Sequence, residues 1–410
     1  MKKAYVRMIA TIQLFVLTMV FCGTPVFSSC NSEDKYSVEN EIKIEPDCQK
    51  AIDNILQGAK VNMEVVDFKD LKSLADSLRN GTAKVNCPEF DNTKIQQAIA
   101  SLQSMLDCLF KNKPQTAPCT SWNLSDLSET LLSAINAAKA LENDADSPLL
   151  VGHKYSISLN VVLNDTLSYT ITSSKERRTD LSVGEIGNEI HRQLSIGKNG
   201  TTLLAINTNQ NFDASVKDNS IIATRLRSGS LDYKDMKFSL SRSLHNTDSV
   251  VSNLVYTKGN CEVIAFKMKG ENNLTLESIL HRNVVFKGEL VTSINDGTLA
   301  LKCNVANMNK FYIAGLGLAQ IAITGSPKEK CQKLSDEFNT VVNSTLSLFG
   351  NELGLVMIEP IAWDSVPNTY HPGLVLQPLP IDEDSEKIIL KDFLNMLGLS
   401  FEDIINMLIG

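Results

Sequence analysis

The sequence predicts an α+β fold, in which an N-terminal helical bundle is followed by a large antiparallel β-sheet with C-terminal helices packed on it. Three observations predict this class. Apolar residues recur at helical spacing between residues 46 and 146, they alternate with polar residues from His153 onward, and helical spacing returns after Ser326-Pro327. The chain has 410 residues, of which 43% are hydrophobic and 21% charged, so it is long enough for more than one domain.

Four narrow apolar stripes predict a helical domain in residues 46–146. The stripes begin near Ala51, Phe68, Asp91 and Asn123, and the second ends at Asn80-Gly81, a typical helix C-cap. A helix with one apolar stripe has to bury that stripe against a partner. Four such helices can cover one another, which predicts a small bundle.

Alternating hydrophobicity predicts a β-rich domain, with C-terminal helices, in residues 150–410. Two alternating stretches flank Asn164-Asp165, and two more flank Asn295-Asp296-Gly297, the strongest hairpin turn in the chain. Strands without intervening helices favour antiparallel pairing. Only residues 184–194 interrupt this pattern, where we predict a short helix.

The end of the chain has a mixed pattern. Ser326-Pro327 precedes a predicted helix over residues 328–349, and a strand is predicted at 355–358. A proline-rich loop over residues 362–380 follows, and acidic residues from Asp382 open the first of two closing helices, where the helix dipole favours them.

Residues 1–29 have the layout of a secretory signal peptide. Lys2, Lys3 and Arg7 precede an apolar stretch over residues 9–21, and small and turn-forming residues occupy positions 25–29. The apolar stretch is shorter than the roughly 20 residues that a membrane-spanning helix needs.

The residues Phe27-Ser28-Ser29-Cys30 resemble the lipobox of bacterial lipoproteins exported by Gram-negative bacteria, although Phe27 stands where leucine is commonest. The resemblance covers residues 1–34 only. It implies that Cys30 carries acyl chains that hold the protein on a membrane, with residues 30–45 as a flexible tether. Cleavage near Ser29 that leaves Cys30 as a thiol is the alternative.

Ser32-Glu33-Asp34 resembles an acidic signal that sends some lipoproteins to the outer face of the outer membrane, although a solvated tether explains these residues equally well. The expected location is the outer membrane, with the domain lipid-anchored on its periplasmic or its cell-surface face. The tripeptide Asp-Ser/Thr-aliphatic resembles the O-glycosylation acceptor of the same bacterial group, which makes Thr166, Ser249 and Ser365 candidate glycosylation sites.

The cysteines fit an exported chain. Four of them lie in the helical segment, where we expect one or two disulfides in an oxidising compartment: Cys48, Cys87, Cys108 and Cys119. Cys261, Cys303 and Cys331 lie among apolar neighbours, and we expect buried thiols there.

The sequence contains no catalytic, metal-binding or cofactor motif, so we predict no catalytic residue, no metal and no cofactor. The net charge of −8 gives no electrostatic basis for binding nucleic acid or anionic lipid headgroups. Three residues of the proline-rich loop, Trp363, Tyr370 and His371, are the candidate ligand-binding residues, because binding residues concentrate in loops. The alternative is that Trp363 belongs to the core.

Together these features predict a non-catalytic lipoprotein of the cell envelope, with a binding or structural role at the outer membrane. Its partners would be the membrane, through the N-terminal acyl chains, and an envelope ligand or protein. The alternative function is a carrier of lipid or another apolar small molecule in the cavity of a curved sheet, which resembles half-barrel lipoprotein carriers in architecture only.

Overall fold

The structure is a computed structural model. It describes residues 69–86, 92–110, 124–141, 154–163, 167–180, 185–217, 220–245, 249–272, 286–294, 296–363, 366–379 and 387–396. The predicted signal peptide, the lipobox, the tether and the first predicted helix lie outside these ranges, as does the predicted domain boundary between residues 146 and 150.

Helices and strands occupy most of the described residues. The helices are α1 (Lys69–Arg79), α2 (Asn92–Phe110), α3 (Leu124–Leu141), α4 (Met308–Thr324), α5 (Lys328–Val341) and α6 (Leu390–Met396). The strands are β1 (Val85–Asn86), β2 (Lys154–Leu163), β3 (Leu167–Asp180), β4 (Glu185–Lys198), β5 (Thr201–Lys217), β6 (Ser220–Tyr233), β7 (Met236–His245), β8 (Ser249–Lys258), β9 (Cys261–Asn272), β10 (Phe286–Ile294), β11 (Leu299–Val305), β12 (Val342–Leu348), β13 (Asn351–Ala362), β14 (Tyr370–Pro378) and β15 (Ile388–Ile389).

The described residues fall into two compact units that divide after Lys267. In the first unit, which holds α1–α3, the strands β1 to β8 follow one another in chain order and pair antiparallel. The division falls within β9, whose residues 261–267 belong to this unit. In the second unit, which holds α4–α6, the strands from β10 to β15 also pair antiparallel in chain order.

The predicted fold class is wrong, because antiparallel strands dominate the described residues and an N-terminal helical bundle is not supported. Helices α1, α2 and α3 lie where helical spacing predicted them. Their apolar stripes are not buried by the other helices alone, because α3 also packs on strands β3 to β6 of the same unit. The apolar stripe of a helix indicates that something covers it, but it does not show whether the covering element is another helix or a sheet.

The core of the first unit lies between these helices and one face of the sheet, which we term the helix face. Leu194, Ile206 and Leu231 are buried on this face, opposite one another on neighbouring strands. Gly229 lies on the same face, and a Cβ atom there would lie 2.9 Å from Leu131 Cδ2 of α3. The absence of a side chain at Gly229 therefore lets α3 approach the sheet closely.

In the second unit, helix α5 is bonded to a strand through one amide side chain. Asn339 Nδ2 donates to the Ile358 carbonyl oxygen at 2.8 Å, and the Ile358 amide donates to Asn339 Oδ1 at 3.0 Å. Phe338 of α5 also packs on Phe311 of α4, with ring centroids 5.2 Å apart. These contacts hold the two helices and β13 together.

Two local predictions are wrong because strand pairing overrides helical spacing. Helix α5 ends at Val341, and residues 342–348 form β12, in which Val342, Ser344 and Leu346 are buried at alternate positions. Residues 185–194, where a short helix is predicted, belong to β4. Tertiary context decides between helix and strand when the apolar spacing is ambiguous.

Short turns with positive φ set the register of several hairpins. Asp296 and Gly297 have φ of 53° and 78° between β10 and β11, which confirms the predicted hairpin turn. Asn199 and Gly200 have φ of 50° and 79° between β4 and β5. Both pairs match the residue preference of the tight turns that suit strand twist.

Candidate ligand-binding groove

The face of the first unit's sheet opposite to the helix face carries a groove of about 660 Å³ that crosses strands β2 to β7. We term it the polar groove. Its volume lies within the range of about 300–1,000 Å³ that is usual for small-ligand pockets.

Side chains alternate between the two faces of a strand, so the register defines which residues line the groove. Two adjacent cross-strand rows supply most of its lining. One row consists of Ser158, Thr172, Gln193, Asn207, Ser230 and Ser239, and the other of Ser156, Ser174, His191, Asn209, Ser228 and Ser241.

These rows consist almost entirely of uncharged side chains that can both donate and accept hydrogen bonds. Ser and Thr hydroxyls do so through one atom, and Asn and Gln amides through two. Gln193 and Asn207 are exposed and lie directly opposite each other near the middle of the groove. The lining therefore matches a ligand with many hydroxyl groups better than it matches an apolar ligand.

Charged pairs flank these rows. Beyond one row, Lys237 Nζ lies 3.7 Å from Asp232 Oδ1. In the other row, His191 Nε2 lies 2.5 Å from Oε1 of Glu189, two residues along the same strand. The Lys237 ammonium therefore has a carboxylate beside it, so it offers little unbalanced positive charge to a ligand.

One groove residue has an unmet hydrogen-bonding capacity. Asn209 Oδ1 is buried and has no hydrogen-bond partner among the described residues. Burying an acceptor without a donor costs about 1–3 kcal/mol of folding free energy. A ligand hydroxyl that donates a hydrogen bond to this oxygen would recover part of that cost. The neighbouring Ser230 hydroxyl already donates to Asp232 Oδ2 at 2.9 Å.

The three residues predicted to bind ligand lie together in the second unit, and none of them lines the polar groove. His371 is 1% exposed, and Trp363 and Tyr370 are half-buried. The Trp363 and His371 rings meet edge to face with centroids 5.9 Å apart, and Lys328 Nζ lies 5.8 Å from the centre of the Tyr370 ring. Their role in ligand binding stays a prediction.

The predicted proline-rich loop is only partly a loop, because residues 370–378 form β14. Strand β14 pairs with β13 over nine positions, from Gly354 opposite Pro378 to Ala362 opposite Tyr370. On its other side, β15 pairs with it only at Val375 and Leu376. Among the described residues, that edge of β14 pairs only at these two positions and at Tyr370, which bonds Ser326. Proline is tolerated in such a strand, because its missing N–H leaves few ladder bonds unmade.

The other predicted sites are only partly covered by the described residues. Cys108 is half-buried in α2, and Ser249 is the first residue of β8. The remaining predicted disulfide, glycosylation and lipid sites, Cys48, Cys87, Cys119, Thr166, Ser365 and Cys30, lie outside them. The disulfides, the glycosylation sites and the lipid anchor stay predictions.

Of the three expected buried thiols, Cys303 and Cys331 are buried, whereas Cys261 is half-buried. Burial raises the pKa of the Cys303 thiol to about 11, although the Ser344 hydroxyl donates to its sulfur at 3.2 Å and opposes that rise. Burial also raises the pKa of Cys331 to about 11. Both side chains are therefore protonated and unreactive at neutral pH.

Sequence reasoning missed the polar groove. Its residues occupy every second position of six strands, as in Thr172-Ser173-Ser174 and Asn207-Thr208-Asn209. The same alternation is typical of a solvated sheet face, so only the cross-strand register shows that these positions form two continuous rows.

Comparison with known proteins finds no matching family model, no similar curated protein and no similar solved structure. None of the described helices is both long enough and apolar enough to cross a membrane.

Proposed function

We propose that this chain is a non-catalytic, lipid-anchored envelope protein that binds a neutral, hydroxyl-rich ligand, such as an oligosaccharide, in the polar groove. The observation that carries the proposal is the pair of uncharged hydrogen-bonding rows across β2 to β7. The anchor at Cys30 belongs to the same proposal and rests on the lipobox resemblance alone.

The chemistry of the lining favours a sugar over an anion or a cation. A sugar hydroxyl both donates and accepts a hydrogen bond, as do the Ser, Thr, Asn and Gln side chains that face it. An anionic ligand would need an unbalanced positive charge, whereas the Lys237 ammonium has the Asp232 carboxylate beside it. A neutral ligand rich in hydroxyl groups matches the hydrogen-bonding side chains of the groove and needs no unbalanced charge.

The alternative of an apolar carrier has less support from the described residues. A carrier of lipid needs an apolar lining, whereas the polar groove is lined by hydroxyl and amide groups. The apolar part of the same sheet is its helix face, where Leu131 of α3 packs on Gly229.

The affinity should rest on hydrogen bonds, because the described residues that line the groove include no Phe, Tyr or Trp. Each hydrogen bond contributes a net ~0.5–1.5 kcal/mol, since it replaces a bond to water. We therefore expect micromolar to millimolar dissociation constants for short oligosaccharides.

The experiment measures binding of neutral oligosaccharides of glucose, mannose, xylose and N-acetylglucosamine to the purified full chain by isothermal titration calorimetry. The double substitution Gln193→Ala with Asn207→Ala should weaken binding of the best ligand at least tenfold, because both side chains are exposed at the centre of the groove. Thermal stability should change little, since neither side chain is buried.

The matched control is Thr201→Ala, an exposed polar residue on the same strand as Asn207 but outside the groove. It should leave the dissociation constant unchanged. Equal binding by the double variant and the wild type would contradict the groove assignment, and tight binding of a fluorescent fatty acid in place of every sugar would favour the carrier.

A further inference from the structure

Three arginines lie side by side on the helix face of the sheet in the first unit. Arg227 of β6 is directly opposite Arg242 of β7, and Arg225 lies two residues from Arg227 on the same face. Directly opposite residues have Cβ atoms ~5 Å apart, and alternate residues of one strand are ~7 Å apart. We term these three residues the arginine cluster.

No acidic residue shares that face on strands β4 to β8. The strands carry four acidic residues, and all four occupy positions on the opposite face: Glu185, Glu189, Asp213 and Asp232. Like charges directly opposite each other destabilise an antiparallel pair. These strands thus place their acids on one face and the cluster on the other.

Burial makes this arrangement more costly. Arg227 Nε is buried and has no hydrogen-bond partner among the described residues. The pKa of Arg227 is lowered, chiefly by burial and also by the charges of Arg225 and Arg242. On neighbouring β5, Thr208 is 7% exposed, and its hydroxyl also lacks a partner among the described residues.

We propose that the arginine cluster binds a phosphate or sulfate group. A tetrahedral oxyanion between the guanidinium groups would neutralise their repulsion and accept hydrogen bonds from them. The arginine fork fits phosphate oxygens in pairs, which a lysine ammonium does not. The amide of Gln210, directly opposite Arg227 on β5, lies on the same face and can donate to the oxyanion.

This site is independent of the proposed function, because it lies on the other face of the strands that form the polar groove. The net charge of −8 gives no hint of it. A local group of cations still concentrates anions when the surrounding chain is acidic, because exposed charges more than ~8–10 Å away are largely screened at physiological salt.

The experiment measures phosphate and sulfate binding to the purified full chain by calorimetry and by thermal melting, at constant ionic strength set with sodium chloride. Phosphate or sulfate should raise the melting temperature above that in chloride. Arg227→Gln and Arg242→Gln should each weaken the binding at least tenfold. Circular dichroism checks that both variants fold.

Arg79→Gln is the matched control, because it removes one arginine whose charge is paired with Asp107 at 2.6 Å on the helices. It should bind the anion as the wild type does, and so should the Gln193→Ala with Asn207→Ala variant of the groove. An equal rise in chloride of the same ionic strength, or unchanged binding in both cluster variants, would overturn the proposal.

A third measurement distinguishes a free phosphate ion from a phosphate group that belongs to a larger ligand. Glucose 6-phosphate that binds more tightly than inorganic phosphate would indicate a phosphate group on a larger ligand. Equal or weaker binding would indicate the free ion. Either result requires the arginine cluster and keeps the site.

Discussion

At the scale of single residues, Trp363 has the contacts of a packed side chain. A Cβ atom at Gly325 would lie 2.8 Å from Cε3 of the Trp363 ring and 2.2 Å from Cγ2 of Thr369. Gly325 has a φ of 68°, a left-handed conformation that suits glycine at the end of α4. The Trp363 ring therefore packs against the backbone of Gly325, and any residue with a side chain at position 325 would displace it.

Substitution of Trp363 by alanine should lower the free energy of unfolding by about 2–3 kcal/mol. The value is below the 3–5 kcal/mol of a fully buried tryptophan, because Trp363 is only half-buried. Urea unfolding followed by circular dichroism measures it. Trp363→Phe should recover part of the loss, since a phenyl ring still covers Gly325. An unchanged midpoint in the alanine variant would instead favour an exposed ligand platform.

At the scale of elements, sequence periodicity located helices better than it located their partners. The helical spacing of Leu71, Leu74 and Leu78 agrees with α1, which ends at Arg79 and is followed by Gly81 with a φ of 65°. The same reasoning extended α5 to Phe349, because valines and leucines spaced for a helix also suit a strand. Which surface covers a stripe depends on residues distant in sequence, and periodicity carries no information about them.

Leu131 and Leu132 of α3 test whether the sheet covers that helix. Leu131 is 2% exposed and Leu132 is 59% exposed, although the two are adjacent. Leu131→Ala should cost about 2–4 kcal/mol of unfolding free energy, whereas Leu132→Ala should cost less than about 0.5 kcal/mol. Thermal or urea melting of the two variants provides the comparison.

A double-mutant cycle shows whether the partner of Leu131 is Gly229. Gly229→Ala places a Cβ atom 2.9 Å from Leu131 Cδ2, so it should destabilise the wild type. The same change should destabilise the Leu131→Ala variant less than the wild type, with a coupling free energy of at least about 0.5 kcal/mol. Additive effects would mean that α3 does not meet the sheet at this position.

At the scale of the whole molecule, overall composition conceals how the charges and polar groups are distributed. The net charge of −8 predicts no anion site, yet strands β6 and β7 place three arginines on one face. The polar groove on the opposite face was equally invisible, because isolated Ser and Asn residues at alternate positions are what a solvated strand requires. Register is a property of the assembled sheet, so both features appear only when the strands are aligned.

The last prediction concerns how the chain is attached to the envelope, and it depends on Cys30. The sulfur of Cys30 should carry acyl chains, each buried CH₂ group of which contributes about 0.8 kcal/mol to membrane binding, so two or three chains anchor the protein stably. Metabolic labelling with an alkyne fatty acid in a Gram-negative host should tag the wild type and fail to tag Cys30→Ala. Cys22→Ala is the matched control, because Cys22 follows the bulky Phe21 and should not be the modified residue. A labelled Cys30→Ala protein would contradict the lipoprotein assignment, and it would leave the groove and the arginine cluster to be tested as properties of a protein without this anchor.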